Sequence, residues 1–415
     1  MKMPDLKFKN ANALYIHLPF CSSKCPYCDF YSVKYTKQRV DLYWAALFME
    51  LKELTQKVNN DLLQTIYLGG GTPSLVEPFF IGELIKKIKS SFRVIPAAEI
   101  TMEINPASIT EEKITALKRA GINRLSVGIQ SFNDQHLNFL GRRSRGENNK
   151  RILTLVDQYF DSYSADLIFA LPEQSLEEFE SDLAEMLKFN PPHISLYNLE
   201  IHENTPFYQL YNQGELKLPT EELDAEMYEL ALEKLKTAGY QHYEISNFAR
   251  RGYRARHNYI YWLYQPYLAL GPGAAAFDGN CRSQNLADLN LYLSYYNPKN
   301  LTFAEFMDNE GGKNSKLKGR TMKNSKTKAT KIRELNCLSK KEKMAEYSFL
   351  ALRTAKGLFY YKFHRQFKVD FKSLYKEEIA ELKENNLIKE GNERIYLTDR
   401  GKEVANKVFL KFLLD

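Results

Sequence analysis

Cysteine is scarce in this 415-residue chain, and so is tryptophan: there are five Cys and two Trp. Three of the cysteines crowd into Cys21, Cys25 and Cys28, while Cys281 and Cys337 stand far from them and from each other and read as spectators. An odd count spaced this way excludes a small secreted fold stapled by disulfides. No apolar run approaches the ~20 residues needed to cross a bilayer, and Met1 to Asn10 lacks the apolar core of a signal peptide. A cytoplasmic protein is the expectation. Glycine and proline number 20 and 15, too few for a collagen-like or low-complexity chain. What is abundant is ordinary: 44% hydrophobic and 26% charged residues suit a folded protein with room for two or three domains.

The net charge of +7 is unevenly placed. Residues 311–333 hold nine Lys or Arg and no Asp or Glu, so the remainder is slightly acidic. Such a segment reads as a flexible basic linker or insertion. Nucleic acid is not an expected partner, because the C-terminal stretch Lys372–Glu384 mixes lysine with glutamate as an ordinary exposed helix face does.

Apolar runs alternate with helical patterns through the first half. The runs are Ala13–Leu18, Thr65–Leu68, Glu99–Ile104, Arg124–Ile129, Ala165–Phe169 and His193–Leu199. Each is too short for a helix and rich in β-branched or aromatic residues. Val40, Trp44, Leu47, Phe48, Leu51 and Leu54 share one face at helical spacing, Gly121 stops a helix over Ile109–Ala120, and Ser175 with Glu178 forms a capping-box pattern. Strand–helix alternation repeated six times predicts a parallel α/β sheet curled into a partial (βα)6 TIM-like barrel, with functional loops at the strand C-termini. The pattern divides the chain into a barrel over 1–205, an aromatic-rich extension over 206–310, the basic segment 311–333, and a C-terminal domain over 334–415. In that last part, helices over Ser339–Thr354 and Lys372–Glu384 precede a hairpin over Leu387–Leu397, a winged-helix-like order.

Three thiolates in Cys21-Ser-Ser-Lys-Cys25-Pro-Tyr-Cys28 can wrap one inorganic centre. Zinc usually takes a fourth protein ligand, which a distant His would have to supply. A [4Fe–4S] cluster normally takes four thiolates, so three would leave one iron open to an outside ligand. With Tyr15-Ile-His17 before it and Tyr27 beside the last cysteine, the segment resembles the Cys-x3-Cys-x2-Cys hallmark of the radical S-adenosylmethionine superfamily. Gly69-Gly70-Gly71-Thr72-Pro73 is similar to that superfamily's motif for the methionine amino group. The resemblance implies a [4Fe–4S] cluster, S-adenosylmethionine on its open iron, and reductive cleavage of that cofactor to a 5′-deoxyadenosyl radical. It implies cofactor contacts from Tyr15, Tyr27, Gly70, Gly71, Thr72, Glu103, Gln130, Arg142 and Asp166, with Arg142 suited to a carboxylate.

The resemblance spans Tyr15 to the tail and is nearest the oxygen-independent coproporphyrinogen III oxidase group, which includes the HemW-type haem chaperones. The oxidases carry a fourth cysteine two residues after the third; here that position is Phe30. His257-Asn-Tyr-Ile-Tyr261-Trp262 is similar to the chaperones' His-Asn-x-x-Tyr-Trp motif. An imidazole can ligate haem iron, and Tyr261 and Trp262 offer flat faces to a porphyrin. Arg254 and Arg256, just upstream, are candidates for the haem propionates. The resemblance thus implies a haem chaperone served by an electron donor, delivering haem to haemoproteins, membrane-associated ones included; coproporphyrinogen oxidation is the alternative that Phe30 disfavours.

Overall fold

A computed structural model describes residues 8, 11–58, 62–310 and 332–413. All six apolar runs form strands: β1 (Ala13–Leu18), β2 (Leu62–Gly70), β3 (Arg93–Ile104), β4 (Arg124–Gln130), β5 (Tyr163–Phe169) and β6 (His193–Asn198). They lie side by side and parallel. The crossovers carry helices α1 (Lys37–Lys57), α2 (Pro78–Ser91), α3 (Glu111–Arg119), α4 (Gly146–Tyr159) and α5 (Leu176–Lys188).

Local chemistry explains these elements. Thr36 caps α1 by accepting from the Arg39 amide, and the expected apolar face of α1 is wholly buried. Its Trp44 stacks on Phe80 with centroids 5.4 Å apart. Each such large side chain contributes about 1.5–3 kcal/mol on burial. Ser175 and Glu178 form the reciprocal capping box of α5. Gly121, with φ +100°, supplies the left-handed turn that ends α3.

The sheet is larger than its six long strands. Helix α6 (Glu221–Thr237) leads into β7 (Gln241–Glu244) and β8 (Asn247–Ala249), and α7 (Arg256–Trp262) leads into β9 (Tyr267–Leu270). β10 (Ala275–Phe277), β11 (Cys281–Asn285) and β12 (Arg333–Cys337) follow. The order is β12-β11-β10-β9-β1-β2-β3-β4-β5-β6-β8-β7. The aromatic-rich middle therefore extends the sheet at both edges. Its strands have three to five residues, too short to show a two-residue period.

Two expectations need correction. Cys281 and Cys337 are directly opposed across β11 and β12 and joined by a disulfide, so they are neither far apart in space nor spectators. Antiparallel pairing erases their sequence separation of 56 residues. The basic segment lies outside the described residues except for its end, where Ile332 is buried and Arg333 opens β12. Arg333 contacts the fully buried Glu50 carboxylate at 2.6 Å, which also accepts from Tyr292.

Beyond β12, helix α8 (Lys340–Arg353) and a small sheet of β13 (Leu358–Phe359), β14 (Ile388–Glu390) and β15 (Arg394–Leu397) enclose a second core containing Phe363, Phe371, Tyr375 and Phe412. The expected hairpin is β14–β15. The expected helix over Lys372–Glu384 divides at Tyr375 into Phe371–Leu374 and Lys376–Glu384, because Tyr375 turns inward with ψ 36° to bury its ring. Among the described residues, no helix is long and apolar enough to cross a membrane.

Candidate cluster and cofactor site

A cavity of about 1210 Å³ opens at the C-terminal ends of the parallel strands. Cys21, Cys25, Cys28, Tyr27, Gly70, Gly71, Thr72, Glu103, Gln130, Arg142 and Asp166 all line it. Parallel strands aim their following loops to this one end, which gathers residues from five separate strand–loop units.

The cysteines sit on the loop after β1, partly exposed and free. The Cys28 amide donates to the Cys25 carbonyl at 3.2 Å, and Cys21 Sγ lies 3.5 Å from Thr72 Oγ1. The surroundings leave the loop little freedom: a Cβ on Gly71 would come 2.7 Å from the Phe20 carbonyl oxygen, and one on Gly141 would come 2.8 Å from Pro26 Cδ. Among the described residues, no three His, Cys, Asp or Glu side chains converge where one metal ion could be held. Three free thiols on one loop are the donor set of a cubane, which takes each thiolate on a different iron. Burial pushes the Cys28 thiol up to about 11, so metal binding there must displace a proton.

Facing the loop is a carboxylate cradle. Glu103 Oε1 accepts from the Tyr67 hydroxyl at 2.8 Å, and Oε2 accepts from the Gly70 amide at 3.0 Å. Burial raises its pKa to about 7 against the opposing pull of these two hydrogen bonds. Asp166, raised by burial as well, accepts from Ser126 at 2.9 Å and Ser164 at 2.7 Å. Arg142 donates to the Gly128 carbonyl at 2.7 Å, while its Nε and the Oε1 of Gln130 are buried without hydrogen-bond partners. Gln130 has φ +67° beside a bulge after Gly128. A non-glycine residue held there costs of order 1–3 kcal/mol. Buried carboxylates beside unpartnered donor and acceptor atoms match the ammonium, carboxylate and ribose of S-adenosylmethionine.

Tyr15 departs from expectation. It is part-buried, bonded to His17 Nδ1 at 3.0 Å and stacked on Tyr67, and it is Tyr67 that lines the cavity. The sequence reading missed Tyr67, whose hydrogen bond orients Glu103; its inward direction two residues before Gly69 was the available signal.

The residues expected to hold haem lie elsewhere. Helix α7 closes the opposite, N-terminal end of the barrel. The Arg256 and His257 amides both donate to Glu99 at 3.0 Å, and the Arg256 guanidinium donates to the Ala97 carbonyl at 2.7 Å. Arg254 is spent on Gln241 and the face of Tyr243. His257 is 1% exposed, with Nδ1 2.8 Å from Thr65 Oγ1 and Nε2 2.7 Å from Tyr261 Oη. Burial lowers its pKa to about 3. Trp262 is covered by the Arg353 guanidinium. Both His257 nitrogens are engaged, and the Tyr261 ring packs edge-on against His257 and Tyr267. This motif builds the barrel floor, one layer beneath Tyr67.

The radical SAM superfamily matches residues 15–186, and the HemN C-terminal domain matches residues 338–404. The heme chaperone HemW of Lactococcus lactis is 35% identical over 405 residues, covering 97% of this chain and 98% of its own. That of Bacillus subtilis is 32% identical, covering 96% and 98%. The chain belongs to the HemW family. Among solved structures, coproporphyrinogen III oxidase (HemN) from Escherichia coli, described as a radical SAM enzyme, shares the fold with a TM-score of 0.78. It is 23% identical, and the match covers 98% of this chain and 90% of that one. In this HemW-family chain the C-terminal match falls on the unit built around α8 and the β13–β15 sheet.

Proposed function

We propose that this HemW-family protein is a cytoplasmic haem chaperone. It holds a [4Fe–4S] cluster on Cys21, Cys25 and Cys28 and S-adenosylmethionine against Gly70, Gly71, Thr72, Glu103, Gln130, Arg142 and Asp166, and it passes haem to recipient haemoproteins. Recipients in or at the membrane and an electron donor for the cluster belong to the same reading. The observation that carries it is the union, in one cavity, of three free thiols and the Gly70–Glu103 cradle. Its volume of about 1210 Å³ exceeds the roughly 300–1000 Å³ typical of a site for one small ligand. The name of the full-length relatives, heme chaperone, supports haem as the cargo.

When bound, the cluster supplies one-electron chemistry to the cofactor's sulfonium. The chain's own work is positional. Glu103 receives a cation, Arg142 a carboxylate, and the aromatic wall of Tyr27 and Tyr67 keeps water from the cluster side. Phe30 stands where the oxidases have a fourth cysteine and is 63% exposed at the cavity mouth.

The test is anaerobic reconstitution with iron and sulfide, then haem titration and, separately, incubation with coproporphyrinogen III and S-adenosylmethionine under reducing conditions. Haem binding without protoporphyrinogen formation supports the chaperone. Turnover to protoporphyrinogen establishes the oxidase instead.

A further inference from the structure

The chain has seven histidines. Their surroundings single one out. His17, His193 and His257 each have both ring nitrogens engaged inside the barrel. His242 is half-buried between the Ile245 carbonyl and Lys402, and His136 is 7% exposed beside Glu178. His364 lies on the surface of the C-terminal domain, outside the cavity lining. His202 is the one histidine on the cavity wall, and 40% of its side chain is exposed.

We propose that His202 is the axial imidazole ligand to haem iron, at the mouth of the cavity beside the cysteine loop. The inference rests on the haem-carrying reading above and names the site of the cargo.

Three further observations support the position. The imidazole stands between two carboxylates, with Nδ1 3.9 Å from Asp29 and Nε2 3.6 Å from Glu200. Both contacts are longer than a hydrogen bond, so an iron that binds either nitrogen takes the place of the carboxylate facing it. Whichever nitrogen binds iron, a carboxylate stands beside the other N–H, and such a partner makes an imidazole a better ligand. Phe30 and Tyr197, 63% and 39% exposed, line the same cavity and offer flat apolar surface to a porphyrin. The His202 loop is also tied to the cysteine loop: its carbonyl accepts from Thr205, and Phe207, two residues on, donates its amide to the Pro26 carbonyl at 3.0 Å. Ligation is a lone-pair donation from neutral imidazole that displaces water and changes no oxidation state.

The experiment titrates ferric haem into the full-length protein and into His202→Ala, read by the Soret band and electron paramagnetic resonance. Wild type gives an imidazole-ligated spectrum, His202→Ala loses it, and added free imidazole restores it. The substitution is on an exposed loop, and an unchanged melting temperature verifies folding. A wild-type spectrum in His202→Ala overturns the assignment while leaving haem carriage intact. A wild type that shows only free haem overturns the haem-carrying reading itself.

Discussion

The imidazole of His257 stacks on the ring of Tyr67, with centroids 5.0 Å apart and planes 29° from parallel. Tyr67 in turn holds Glu103. The floor of the barrel and the carboxylate of the cavity are thus mechanically continuous, though they lie at different depths.

Removing the middle of that chain has a defined effect. Tyr67→Phe keeps the stacking and deletes the hydrogen bond to Glu103. A bond to a charged acceptor contributes about 1.5–3 kcal/mol. S-adenosylmethionine should therefore bind at least about tenfold more weakly to Tyr67→Phe, as read by calorimetry on the reconstituted protein. An unchanged affinity would show that Glu103 does not need this donor.

The same carboxylate makes binding pH-dependent. With a pKa of about 7 in the ligand-free protein, Glu103 is protonated below that value and charged above it. A cationic ammonium favours the charged form, so affinity should fall as pH drops below about 7, with proton release on binding there. Stability runs the other way: this folded-state pKa exceeds the ordinary 4.5, so the group's contribution is lost as pH rises from about 4.5 to 7. Glu103→Gln should flatten the binding profile.

His257→Ala leaves Thr65 and Tyr261 without their buried partner and opens a hole under Tyr67. Unsatisfied groups and lost packing of this kind cost about 3 kcal/mol together. Denaturant unfolding should show that loss. A stability equal to wild type would exclude the floor role assigned to the motif.

The Cys281–Cys337 pair predicts three titratable thiols, not five, in cluster-free protein denatured without reductant. Closing a loop of 56 residues stabilises by up to about 4 kcal/mol. Reductant should lower the melting temperature of wild type but not of Cys281→Ser. Five thiols would mean that the opposed cysteines stay reduced.

Much of this was legible in the sequence because local pattern and tertiary structure agree. The six parallel strands read as dense apolar runs, and the Cys21–Cys28 loop and Gly70 carry their own spacing signals. Gln130 and Asp166 were findable once strand ends were known. What stayed hidden depends on contacts between distant segments. No periodicity announces that Cys281 will face Cys337, or that Ile332 and Arg333 will join the sheet against Glu50. The His257 motif misled for the same reason. A histidine among aromatics looks like a ligand set in sequence, and only packing against Thr65 and Glu99 shows both nitrogens and the backbone already committed. His202, flanked by ordinary loop residues, gave no sequence signal; exposure within the cavity distinguishes it.

The most direct test of the account is haem transfer. Reconstituted protein is loaded with haem, freed of excess, and mixed with a haem-free b-type haemoprotein, and the Soret band of each is followed after separation. The account predicts that haem leaves this chain and appears in the recipient faster than free haem loads it, with no decarboxylated porphyrin formed from coproporphyrinogen III in parallel. Haem that never reaches the recipient, or turnover of coproporphyrinogen III, would contradict it.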